Sequence, residues 1–186
     1  MEAVTNPLTF ISVDVETAGP SPSEYSLLTI GACVVDKPQS TFYVELKPVN
    51  NNAVPEALAI SRLSLSRLAE RGLEPGEAMA RFESWLKAEV PPGNLPLMVA
   101  FNAPFDWMFV SDYFHRYLGR NPFGHTALDI KSFYMGFAHV EWQETTMKHV
   151  KPRYLGDRQF THHALRDALD QAEIFQKMYA ESPRGG

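Results

Sequence analysis

The sequence predicts one α/β domain in which helices pack on a mixed five-stranded sheet. Three segments with the pattern of strands follow one another within the first fifty residues, and two further apolar strands lie among later helical segments. These helical segments repeat their apolar residues with the period of an α-helix. The chain of 186 residues is long enough to bury a sizeable core. We expect the domain to span residues 1–186, with its core between about residues 8 and 180.

The first three strands are predicted to form an antiparallel meander. The segment LTFISVDVE alternates apolar and polar residues, as a strand does. One face of this strand would carry Ile11, Val13 and Val15, and the other Ser12, Asp14 and Glu16. The turn-rich segment TAGPSPSEYS follows, and then LLTIGACVVD and STFYVELKP are expected to pair across the turn DKPQ.

After about residue 53, the apolar residues recur with the period of a helix. A helix containing Met79, Phe82 and Leu86 is predicted to end at PPGN, before the short buried strand LPLMVAF. A second helix is expected from about Asn102 to Gly119. The segment TALDI would be a last short strand, and a final helix is predicted from about residue 161 to 180. We expect these later strands to be parallel.

Composition places the chain among globular proteins: 45% of its residues are hydrophobic and 21% are charged. No apolar run reaches the roughly 18–20 residues of a membrane span, and the start MEAVTNPLTF lacks the basic region of a secretory signal. The single cysteine, Cys33, excludes an internal disulfide and a multi-cysteine zinc site. We therefore expect a cytoplasmic protein without a membrane partner.

The net charge of −5 argues only weakly against a nucleic-acid partner, because acidic residues that hold metal ions reverse the local sign of the charge. Asp14 and Glu16 lie two residues apart on a strand, so both side chains leave by the same face. Neighbouring carboxylates repel unless a cation lies between them, and carboxylate oxygens suit Mg²⁺ or Mn²⁺. The alternative is a solvated strand face that happens to carry two charges.

Two further aspartates are candidate site residues, and each also has a purely structural interpretation. Asp106 lies in the first turn of a predicted helix after a buried strand, where it could hold a metal or only favour the helix dipole. Asn102 is a helix cap or part of a site. Asp167, on the last helix, is a site residue or part of a solvated helix face.

Taken together, the segments SVDVET, FNAPFD and HHALRDA resemble the motifs of the DEDDh family of 3′→5′ exonucleases, the RNase T and DNA polymerase III proofreading-subunit type. The resemblance runs from Leu8 to about Tyr179 and implies the RNase H-like fold. It also implies that two divalent metal ions, Mg²⁺ or Mn²⁺, are held by Asp14, Glu16, Asp106 and Asp167.

The reaction implied by this resemblance is hydrolysis at the 3′ ends or overhangs of single-stranded DNA or RNA, releasing nucleoside 5′-monophosphates. A histidine would take the proton of the attacking water, a task that this side chain performs well near neutral pH. Two alternatives remain at this point. One is a catalytically silent RNase H-like domain that binds nucleic acid or acts as a scaffold, and the other is an RNase H-like endonuclease.

Two adjacent histidines compete for the role of general base. Helix geometry favours His163, which lies four residues before Asp167 and on nearly the same face. The family motif H-x-A-L-x-D-A instead matches His162. We predict His162, which requires the helix to begin at about His163 and leave His162 on the incoming chain.

Substrate contacts are predicted on both sides of the motifs. The segment MKHVKPRYLGDRQF is basic, and Pro152 and Gly156 predict a loop there. Such a loop would hold backbone phosphates or would simply be solvated. The predicted phosphate contacts are Lys151, Arg153 and Arg158, and the predicted contacts to the terminal nucleotides are Thr17, Tyr25, Leu27, Asn102 and Phe105. For the aromatic members, burial in the core is the alternative.

Asp129 matches a position where the family often has an aspartate, and we expect it to support the site rather than bind metal. The segment TAGPSPSEYS departs from the family's common TTGL, which leaves the choice between DNA and RNA open. We expect the protein to act alone or as a homodimer.

Overall fold

The computed structural model describes residues 6–158 and 161–182. Its five strands form one sheet in the order β3-β2-β1-β4-β5. β1 pairs antiparallel with β2, and β2 with β3, whereas β4 is parallel to both β1 and β5. The strands are β1 (Leu8–Thr17), β2 (Leu27–Val34), β3 (Lys37–Glu45), β4 (Leu95–Ala100) and β5 (Ala127–Asp129). The predicted mixed sheet, a meander joined to parallel strands, is confirmed.

Helices connect and cover these strands. They are α1 (Pro55–Ser61), α2 (Leu65–Arg71), α3 (Pro75–Glu89), α4 (Ala103–Leu118), α5 (Ile130–Ala138), α6 (Met147–Tyr154) and α7 (Ala164–Glu181), with a 3₁₀ turn at Trp142–Thr145. None of the helices within residues 6–158 and 161–182 combines the length and the apolar character that a membrane span requires.

The structure corrects one predicted element and shifts two others. The basic segment predicted as a loop forms helix α6, although Pro152 lies inside it. Val150 and Tyr154, one turn apart, are buried in the same core as α7, and this packing outweighs the lost hydrogen bond of the proline. The turn between β2 and β3 lies at residues 35–36, before the predicted one, so that Pro38 falls on an edge strand, where proline is tolerated. The last helix begins at Ala164.

The two faces of β1 pack against different helices. Ile11, Val13 and Val15 contribute to the core that also holds Phe82 of α3 and Phe109 of α4. The opposite face is covered by α7, and its residue Ser12, 0% exposed, donates a hydrogen bond to the Ala168 carbonyl at 2.7 Å. The face that carries Asp14 is therefore an internal contact between the sheet and α7.

Gly31 allows α7 to begin directly against the sheet. It pairs with Asp14 across the β1–β2 ladder. A Cβ atom at this position would lie 2.2 Å from the backbone of Ala164 and Leu165, a distance too short for any side chain. The absence of a side chain at residue 31 therefore lets the start of α7 approach Asp14.

Candidate active site

Three carboxylates meet where the carboxyl end of β1 passes the first turn of α7. Asp14 and Glu16 extend from β1 and Asp167 from α7. Each of the three places one carboxylate oxygen within 4.8 Å of the others. Strand geometry brings the first two together, because residues two apart share a face, and the packing of α7 adds the third.

Asp106 borders this group without belonging to it. It is buried in the first turn of α4, and its Oδ1 accepts a hydrogen bond from the Val15 N–H at 3.0 Å. The pairing of β4 with β1 stops at Ser12, so this N–H lies beyond the end of the parallel ladder. Asp106 thus joins α4 to the strand that carries Asp14 and Glu16. This contact goes beyond the alternative role of an aspartate that only favours the helix dipole.

The pKa values of these carboxyl groups are raised. Burial, followed by the charge of Asp106, raises the pKa of Asp14 well above its usual value. Burial and the charge of Asp167 raise the pKa of Glu16 to about 7. The pKa of Asp106 is raised to about 8, mainly by burial, and burial also raises the pKa of Asp167. Burial and the repulsion between neighbouring carboxylates therefore make it costly for all four groups to be ionised together.

The donor set fits hard divalent cations. Oδ1 of Asp167 is buried without a hydrogen-bond partner among the described residues. A buried acceptor that finds no donor is costly in the folded state, and a cation placed among these oxygens would remove that cost. Mg²⁺ and Mn²⁺ both favour such an all-oxygen set.

Gln171 is a member of this site that sequence reasoning missed. Its side-chain amide Nε2 donates to Oδ1 of Asp14 at 2.5 Å, and its Oε1 accepts from the Phe101 N–H at 2.8 Å. The signal that could have found it is its spacing, because it lies four residues after Asp167 and therefore on the same face of α7.

The two histidines occupy different environments. His162 precedes α7 in a left-handed backbone conformation, with φ of 49°. It lines a cavity of about 360 Å³ together with Asp14 and Asp167, and Phe101, Met147 and Gln171 complete the lining. His163 is the N-cap residue, and its ring stacks on Tyr43 of β3 instead. Only His162 of the pair faces the carboxylates.

Asp129 supports the site from the end of β5. Its Oδ2 accepts a hydrogen bond from the Ala103 N–H at 2.8 Å, and its Oδ1 accepts from the N–H and hydroxyl of Ser132 at 2.8 and 2.6 Å. It thereby holds the start of α4, one turn before Asp106, and caps α5. Asn102 is the exposed N-cap residue of α4, in a left-handed conformation, and its side chain makes no capping bond.

Two of the predicted nucleotide contacts, Leu27 and Thr17, are buried in this structure. Leu27 is 0% exposed within the main core, since the residue belongs to a strand packed on both faces. The Thr17 hydroxyl donates to the Gly19 carbonyl at 2.8 Å. Tyr25 and Phe105 are half-buried, in line with the alternative of packing against the core.

The predicted phosphate contacts lie in and after α6 rather than on a free loop. Arg153 pairs with Glu181 at 2.7 Å. Arg158 pairs with Asp170 at 2.6 Å and with Glu173 at 2.9 Å. Lys151, which lies on α6, is half-buried. Both arginines therefore join this segment to α7, and residues 159–160 of the predicted loop lie outside the described residues.

Comparison with known proteins adds independent information. The family model RNase T, described as an exonuclease, matches residues 11–175. The chain is also 47% identical over 171 residues to the 3′-5′ DNA exonuclease Cap18 of Escherichia coli, and the match covers 90% of this chain and 89% of that protein.

Solved structures show the same fold at low sequence identity. The nuclease domain of 3′hExo, a DEDDh family member bound to rAMP, has a TM-score of 0.76 at 14% identity, covering 100% of this chain and 99% of that one. E. coli Exonuclease I in complex with a dT13 oligonucleotide has a TM-score of 0.71 at 16% identity, covering 93% of this chain and 41% of that one.

Proposed function

The chain belongs to the RNase T family of exonucleases as a 3′→5′ exonuclease of the DEDDh type, and from this premise we propose that it degrades single-stranded DNA from the 3′ end. The observation that carries the proposal is the approach of Asp14, Glu16 and Asp167 within 4.8 Å, beside a cavity that His162 also lines. The name of Cap18 at 47% identity favours DNA over RNA as the substrate.

The acidic group would hold two divalent metal ions, with Mg²⁺ or Mn²⁺ as the proposed species. Asp14, Glu16 and Asp167 would supply the central ligands, and Asp106 is close enough that its charge raises the pKa of Asp14. Two such metal ions would lower the pKa of the attacking water and stabilise the charge on the leaving 3′ oxygen.

His162 is the proposed general base. Its imidazole is exposed, lines the same cavity as Asp14 and Asp167, and precedes the first turn of α7. From there it can take a proton from water in the cavity and release it to solvent.

Two alternatives are less well supported. A silent binding or scaffold domain would not need four carboxylates whose burial raises their pKa values. The endonuclease alternative is disfavoured by the match to an exonuclease family over residues 11–175, and it differs in its substrate, because an endonuclease cuts a circular strand and an exonuclease requires an end.

The test uses the purified chain with Mn²⁺ and a 5′-labelled single-stranded DNA oligonucleotide. We expect a ladder that shortens from the 3′ end, release of nucleoside 5′-monophosphates, and complete inhibition by EDTA. A circular single strand should stay intact, and an RNA of the same sequence should be degraded more slowly. An intact linear DNA would refute the proposal, and cleavage of the circle would favour the endonuclease.

A further inference from the structure

Gln171 joins three parts of the active site through one side chain. It lies on α7 and is 3% exposed. Its two bonds reach Asp14 on β1 and the backbone of Phe101, the residue that follows β4. Both ends of the amide are therefore engaged, one by a carboxylate and the other by the main chain.

The orientation of this amide is forced by its neighbours. The Phe101 N–H can only donate a hydrogen bond, so the oxygen of the Gln171 amide must face it. The NH₂ group must then point to Asp14, where it donates to Oδ1. A flipped amide would place two donors together at Phe101 and two acceptors together at Asp14.

The bond to Asp14 occupies only one of its carboxylate oxygens. One oxygen of Asp14 lies within 4.8 Å of an oxygen of Glu16 and of Asp167, and the Gln171 bond to Oδ1 leaves Oδ2 for a cation shared among the three residues. Because an amide donor stabilises the ionised carboxylate, Gln171 also lowers the pKa of Asp14, against the effect of burial and of the neighbouring charges.

We propose that Gln171 is a positioning residue of this active site, which anchors one oxygen of Asp14 to the end of β4 and thereby presents the other oxygen to a divalent cation. This inference rests on the proposed function. Gln171 touches neither substrate nor reacting atoms in this role and acts through the aspartate.

Two substitutions separate the two bonds of Gln171. Gln171→Glu keeps an oxygen to accept the Phe101 N–H and replaces the donor to Asp14 with a second carboxylate oxygen. Gln171→Met has a similar length and removes both bonds. Matched controls are Gln176→Glu and Gln176→Met, because Gln176 is exposed on the same helix.

The measurements are kcat and KM on a single-stranded DNA oligonucleotide, the thermal midpoint without metal, and Mn²⁺ binding to the Gln171→Met protein by calorimetry. We expect kcat at saturating Mn²⁺ to fall at least tenfold in both Gln171 variants, while KM changes less than twofold. The Kd for Mn²⁺ should rise about tenfold in Gln171→Met. The Gln176 variants should match the parent chain in every measurement.

A purely structural role would give a different result. Gln171→Met would then lower the thermal midpoint, yet the folded protein would bind Mn²⁺ and turn over as the parent chain does, and this would overturn the inference. Parental activity in Gln171→Glu would overturn it too, since only the bond to Phe101 would then matter. If the parent chain itself leaves DNA intact, the proposed function fails, while the calorimetric comparison still tests the link between Gln171 and the metal.

Discussion

The imidazole ring of His163 stacks on the phenol ring of Tyr43, with centroids 4.7 Å apart and 22° between the ring planes. This contact joins the start of α7 to the edge strand β3 and turns His163 away from the carboxylates. Its neighbour His162 precedes the helix in a left-handed conformation and lines the acidic cavity. Adjacent residues of the same type therefore have separate roles, one in packing and the other toward the site.

Substitution of the two histidines should separate these roles. We expect His162→Ala to lower kcat on single-stranded DNA by a factor of about 10²–10⁴, the usual contribution of a general base. His163→Ala should lose the ring contact and keep kcat within about threefold, because a stacked pair affects stability by roughly 1 kcal/mol. A larger loss of kcat in His163→Ala than in His162→Ala would reverse the assignment.

Removing the charge of Asp14 should separate activity from stability. Asp14→Asn is expected to abolish hydrolysis, since a neutral amide is a poor ligand for a divalent cation. Without metal at pH 8, the variant should have a higher thermal midpoint than the parent chain, because Asp14 is buried beside Asp106, Glu16 and Asp167. Differential scanning calorimetry in EDTA measures this, and a lower midpoint in the variant would contradict it.

The metal-free protein should lose stability as the pH rises. The pKa of Glu16 is about 7 and that of Asp106 about 8 in the folded chain, whereas such groups titrate near about 4 when unfolded. Between these values the folded state binds more protons than the unfolded state, so the free energy of unfolding falls with increasing pH. Urea titrations in EDTA from pH 5 to pH 8 should show this decline, and saturating Mg²⁺ should reduce it.

A separate window at lower pH provides a check on this prediction. Hydrogen bonds from Arg120 and Lys87 lower the pKa of Glu83 to about 2. Stability from this group is present above about pH 4 and is lost as the pH falls toward 2. Glu83 lowers the stability as the pH falls below about 4, whereas Glu16 and Asp106 lower it as the pH rises from 5 to 8. An unchanged free energy of unfolding between pH 5 and pH 8 would therefore contradict the raised pKa values of Glu16 and Asp106 without bearing on Glu83.

The glycine under the start of α7 should be required for both folding and activity. Gly31→Ala would place a methyl group against the backbone of Ala164 and Leu165, which must then move. We expect a loss of about 1–3 kcal/mol in the free energy of unfolding, as in overpacked cores. A reduced kcat should accompany it, because Asp167 and His162 would shift relative to Asp14.

Gly136→Ala is the matched control for this substitution. Gly136 lies within α5, and a Cβ atom there would have none of the described residues within 4 Å. The variant should be as active as the parent chain and more stable by about 0.5–1 kcal/mol, because alanine favours a helix over glycine. Equal effects of the two substitutions in a urea titration would show that the close approach at Gly31 is unimportant.

Features that depend on local periodicity were predictable from the sequence. The alternation in residues 8–16 placed Asp14 and Glu16 on one face of a strand, and the structure confirms β1 and its apolar face. The same local reasoning failed at α6, because Pro152 and Gly156 are loop signals, whereas the burial of Val150 and Tyr154 depends on α7. The burial of Leu27 was not predictable for a similar reason, since its neighbours in the core come from other parts of the chain.

The sequence by itself determined the order and type of the strands, the spacing of the acidic motifs and the family to which they belong. Only the tertiary structure decided which histidine faces the carboxylates, because that depends on where α7 starts and on the stacking of His163 with Tyr43. It alone placed Gln171 against Asp14, 157 residues away in sequence. Periodicity arises from the geometry of a few consecutive residues, whereas such contacts exist only after distant segments have packed together.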